Sequence, residues 1–76
     1  MVHVMRIVNG VMAQVPVERA YGVTGTRWYP EGLHDHDIAH DIQYIEGTQS
    51  GFDVQMVCDM LRHELRRRIA LRGRQP

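Results

Sequence analysis

The stretch that decides the fold is Val2–Val17, VHVMRIVNGVMAQVPV. At its centre Asn9-Gly10 separates two runs rich in β-branched residues. Asn and Gly both tolerate positive φ, which a type I′ turn demands at its two central positions and which matches the twist of paired strands. The sequence therefore predicts a hairpin of strands at about 2–8 and 11–17, pairing Val8 with Val11, Arg6 with Ala13, Val4 with Val15 and Val2 with Val17. Side chains alternate across a strand. One face then collects Val2, Val4, Val8, Val11, Ala13, Val15 and Val17, interrupted by Arg6, and is the better core face. The other carries His3, Met5, Ile7, Met12 and Gln14 and is too apolar for a fully solvated surface. Pro16 cannot donate to a ladder, so this strand lies at an edge or ends there.

Beyond the hairpin, Val23–Tyr29 reads either as a third strand or, given Gly22, Gly25, Pro30 and Gly32, as an irregular loop. Two helices follow. The first is expected over 35–46, capped by His34 or Asp35, with Ile38, Ile42 and Ile45 in one narrow stripe and Gly47 as its left-handed C-terminal cap. The second is expected over 51–72, capped by Ser50 with Asp53 three residues on. Its stripe is Val54, Val57, Leu61, Leu65 and Ile69, widened by Met56, Cys58 and Met60, and Gly73 stops it. The expected architecture over 1–76 is one α+β domain. It is an N-terminal β-hairpin or three-stranded antiparallel meander packed on two C-terminal helices.

Seventy-six residues suffice for a single domain with a thin core, since so short a chain buries only roughly 60% of its unfolded surface. One cysteine cannot form an internal bridge, which excludes a disulfide scaffold. No apolar run reaches the ~18–20 residues of a spanning helix and nothing reads as a leader, so a cytoplasmic protein is expected. The nine basic residues are all arginine, which excludes lysine nucleophiles, Schiff bases and a phosphate-loop lysine. Net charge is zero, but its distribution is uneven. The acidic residues gather between Glu31 and Asp59 and most arginines after Met60, so the two segments can pair with each other or with copies of the chain, or show each sign to a different partner; separate anionic and cationic faces are the reading adopted.

Three sets of residues suggest chemistry. His34, His36 and His40 could contribute to a metal site, with Asp37 or His63 completing it. Yet His36 and His40 face away from the isoleucine stripe, as ordinary polar-face residues do. No other cofactor is implied. Cys58 lies on the apolar side of its helix and reads as a buried, inert thiol. With no nucleophile elbow, Gly-rich phosphate loop or paired-cysteine knuckle, the sequence does not point to an enzyme. Arg62, Arg66, Arg67, Arg68 and Arg72 could bind phosphates as part of a small DNA- or RNA-binding regulator. The acidic first helix opposes that reading, because it would bring Asp35, Asp37 and Asp41 to the same surface.

The function expected from the sequence is that of a non-enzymatic interaction protein that regulates or inhibits a protein partner. Small domains of this kind are common in phages and mobile elements. The expected contact residues are the aromatic pair Trp28 and Tyr29, Asp37 and Asp41 on the acidic side, and Arg66 and Arg67 on the basic side. A homodimer is also expected, through the hairpin or the long helix, because the monomer's core is thin and one hairpin face is left apolar.

Overall fold

A computed structural model of the chain describes residues 2–22 and 33–73. Its elements are β1 (His3–Val8), β2 (Val11–Pro16), α1 (Val17–Ala20), α2 (Asp35–Thr48) and α3 (Phe52–Gly73). The two strands form an antiparallel hairpin in the expected register, Val4 with Val15, Arg6 with Ala13 and Val8 with Val11. Asn9 at φ 51° and Gly10 at φ 79° make the turn that their sequence predicts. The anticipated third strand, and Trp28 and Tyr29 with it, lie outside the described residues.

The fold is α+β, with α2 at its centre. The hairpin and α3 both pack against α2. Ile38, Ile42 and Ile45 are all buried, as their spacing requires. They meet Val2, Val4, Val17 and Tyr21 from the N-terminal half and Val54, Val57, Cys58 and Leu61 from α3. Gln49, just after α2, ties the edge of β1: its Oε1 accepts from the His3 N–H at 2.9 Å, and its Nε2 donates to the His3 carbonyl at 3.0 Å.

Several local expectations are corrected. β2 ends at Pro16, one of the two outcomes its missing N–H allows, but Val17 opens the short α1, which the sequence did not announce. Proline suits this place because it cannot extend a ladder and its fixed φ leads into a helical turn. α2 runs on through Gly47 to Thr48, and Gln49 forms its C-cap with its N–H bonded to the Ile45 carbonyl. Gly47 is therefore an ordinary helical residue. At the start of α3 the Gly51 carbonyl accepts from the Gln55 N–H, which puts Gly51, at φ 120°, in the place predicted for Ser50. The α3 stripe is used only in its first half. Leu61 is buried, Leu65 is half-buried, and Ile69 is 63% exposed because α3 extends past the core. The hairpin's inner face behaves likewise: Val2 and Val4 are buried, while Val8 and Val11 near the turn are exposed.

Candidate functional site

The outer face of the hairpin and the first half of α2 form an open groove of about 670 Å³. Ile7 and Met12 are cross-strand partners on its strand wall, with Met5 one step along β1. Side chains at positions 5, 7 and 12 share this face because they alternate with the inward-pointing set. Leu33 and, from α2, Asp37 with His36 and His40, one turn apart, add to the lining. Arg6 and Asp41 also line the groove. Ile7 is 72% exposed and Met12 56%, so the strand wall is apolar surface left to solvent.

Arg6 and Asp41 are held in a fixed network. The Arg6 guanidinium donates to both carboxylate oxygens of Asp41, Nη1 to Oδ1 at 2.9 Å and Nη2 to Oδ2 at 2.8 Å. Its Nη1 also donates to the Met5 carbonyl. The Tyr21 hydroxyl donates to Asp41 Oδ2, and the Arg6 guanidinium carbon lies 5.7 Å from the Tyr21 ring centre. The hydrogen bond to Asp41 raises the Arg6 pKa above its ordinary value, against the opposing effect of burial. Burial, and then the bond to the Asp41 carboxylate, push the Tyr21 phenol well above its usual value. Asp41 is thus a buried acceptor with its hydrogen-bonding capacity largely engaged.

That finding corrects the expectation for Asp41, which is 3% exposed and cannot serve as a contact on an acidic face. The sequence contained the signal. Asp41 falls at i+3 from Ile38 and four before Ile45, on the same stripe as the core isoleucines. Arg6, the one charge interrupting the inner hairpin face, was its waiting partner. Asp37 lines the groove, but its Oδ2 accepts from the His34 N–H at 3.2 Å and so helps to start α2.

The cationic end of α3 is largely neutralised by α2. Arg62 pairs with Glu46 at 2.5 Å and approaches Asp59. Arg68 reaches Asp35 at 3.1 Å, Glu64 at 2.9 Å and the Leu33 carbonyl. Arg72 also binds Asp35, and Arg67 binds Glu64 through two hydrogen bonds. Asp35 is held below its ordinary pKa by the bonds from Arg68 and Arg72, and Glu64 by the bond from Arg67 and then that from Arg68. Arg66 is exposed and bonds to no described carboxylate. The expected separation of charge into two free faces is therefore corrected: the acidic and basic segments fold onto each other.

The three histidines do not converge. The rings of His34 and His36 stack at 5.5 Å, and His40 lies one turn on from His36. Among the described residues no three of His, Cys, Asp and Glu come together where a metal ion could sit. Cys58 is buried, and burial raises its thiol pKa, which keeps it in the less reactive protonated form. Among the described residues no helix is long and apolar enough to cross a membrane. Comparison of the chain with protein-family models, curated proteins and solved structures finds no match.

Proposed function

We propose that this chain is a non-enzymatic interaction protein that docks an apolar segment of a protein partner into the groove between the hairpin and α2, and thereby regulates or blocks that partner. We assign it to the cytoplasm, where its single thiol stays reduced. The observation that carries the reading is the cross-strand pair Ile7 and Met12, both largely exposed beside a groove of about 670 Å³. Exposed apolar side chains clustered beside a concave surface favour partner binding over solvation. Met5 and Met12 add adaptable, polarisable surface suited to an irregular apolar ligand.

The nucleic-acid reading has less support. Arg62, Arg67, Arg68 and Arg72 already have carboxylate partners, and a phosphate would have to displace them. A photo-crosslinking residue at position 7 tests the groove in the native host, with position 43 on the exposed back of α2 as control. One protein should be captured at position 7, not at position 43, and lost when Met12→Glu is added. Equal capture at the two positions, or capture indifferent to Met12→Glu, rules the groove out.

A further inference from the structure

We infer that two copies of this chain join through β2, edge to edge and antiparallel, into a four-stranded sheet. The inference stands apart from whatever occupies the groove. It begins with the hydrogen-bonding phase of the hairpin. The Val17 N–H donates to the Val2 carbonyl at 3.0 Å, and paired residues alternate between bonded and non-bonded classes. Val4 with Val15, Arg6 with Ala13 and Val8 with Val11 are then the bonded pairs. The backbone groups of His3, Met5 and Ile7 point out from the β1 edge, and those of Met12 and Gln14 point out from the β2 edge.

The two edges differ in part: among the described residues the Met5 N–H and both backbone groups of Ile7 stay open on β1, but the rest of that edge is covered. On β1 the side chain of Gln49 takes both backbone groups of His3, and Arg6 takes the Met5 carbonyl. On β2 the backbone N–H and carbonyl of Met12 and Gln14 meet no partner among the described residues. Natural sheets guard such an edge with lysine, an inward charge or a central proline. The β2 sequence VMAQVP has no charge, and its proline stands at the end.

A second copy fits this edge because the edge is complementary to itself. With a two-fold axis through Ala13, Met12 of each copy faces Gln14 of the other. All four outward groups on each strand are then bonded, giving four N–H···O=C bonds across the axis. This register asks nothing of Pro16, which has no N–H. Ala13 meets its own copy in a non-bonded pair, where Cα atoms approach to about 4.5 Å and a small side chain is suited. Val11, 66% exposed, gains Val15 of the other copy as a cross-strand neighbour, a favourable β-branched pair. An uncharged strand brings no like-charge repulsion to its own image. The axis is perpendicular to the sheet, so the two Ile7–Met12 pairs emerge on the same side as one apolar surface.

Sedimentation across a dilution series, with amide hydrogen exchange on the same samples, tests the pairing. The expected mass at high concentration is twice the 8.8 kDa of the chain. The Met12 and Gln14 amides should gain protection as the dimer forms. Gln14→Pro removes an outward N–H from each copy and leaves the intrachain ladder intact, so association should weaken about tenfold or more. Gln14→Lys, at an exposed position outside the groove lining, should weaken it without altering the circular dichroism spectrum of the monomer. A chain that stays monomeric, a dimer that tolerates Gln14→Lys, or one that leaves the Met12 and Gln14 amides freely exchanging, overturns the inference.

Discussion

The guanidinium of Arg6, on β1, donates to both oxygens of the Asp41 carboxylate, on α2, at 2.9 and 2.8 Å, and this pair fixes the hairpin to the central helix. The Asp41 side chain is 4% exposed and that of Arg6 27%. The pair is therefore buried at one end and hydrated at the other. Removing the buried end leaves an arginine and a phenol without their acceptor, whereas removing the phenol leaves the ion pair whole.

Asp41→Ala should accordingly lower stability by about 3 kcal/mol, the low end for breaking a buried pair because Arg6 keeps some water. Tyr21→Phe should lower it by about 1.5 kcal/mol, the loss of one hydrogen bond to a charged acceptor. Urea unfolding of the two variants checks the order. Equal losses would show that Arg6 contributes little.

The raised pKa of Tyr21 has a consequence at alkaline pH. Its folded value lies above its unfolded value of about 10, so its contribution is full below pH ~10 and is lost as pH rises through the folded value. Ultraviolet titration of the phenolates should show one tyrosine ionising last, together with unfolding. Tyr21→Phe should remove that phase.

At acid pH the joint between α2 and the end of α3 should loosen. The pKa values of Asp35 and Glu64 are depressed by their arginine partners, so the stability they lend is present above the ordinary carboxylate range near pH ~4. It is lost as pH falls through their folded values. The thermal midpoint of the parent should fall below pH ~4 more steeply than that of Asp35→Asn combined with Glu64→Gln. Parallel curves would refute a role for these pairs.

Gln49→Ala should cost about 2 kcal/mol, from two neutral hydrogen bonds to His3. Hydrogen exchange should localise the change, with the His3 amide losing protection while the amides of Arg6 and Val8 keep theirs.

Gly47→Ala distinguishes a helical glycine from a left-handed cap. A Cβ placed there meets nothing within 4 Å, and the residue lies inside α2. Thermal unfolding should show a gain of about 0.5–1 kcal/mol. A loss would mean that the position needs positive φ after all.

Much of the fold was legible where a local rule acts alone. Asn9-Gly10 specified its turn and register because few dipeptides accept positive φ twice. Ile38, Ile42 and Ile45 specified the buried side of α2 because helical spacing puts them in line. Gly47 and Ser50 misled because a cap is selected by where neighbouring contacts end the helix, and Gln49 ended α2 by reaching for His3. The groove was half legible: the sequence marked Met5, Ile7 and Met12 as an apolar outer face, while their placement beside His36 and His40 came from packing.

The sequence by itself determined the hairpin, the two long helices and the apolar stripes that bring them together, since each follows from backbone preference and periodicity over a few residues. Tertiary structure decided which of the charges pair with one another. Asp35 meets Arg68 and Arg72, Glu46 meets Arg62, and Asp41 meets Arg6, partners 16 to 37 positions apart that no local spacing links. Charges on separate elements act on one another only once packing sets their distance and excludes water, and that geometry exists only in the folded chain.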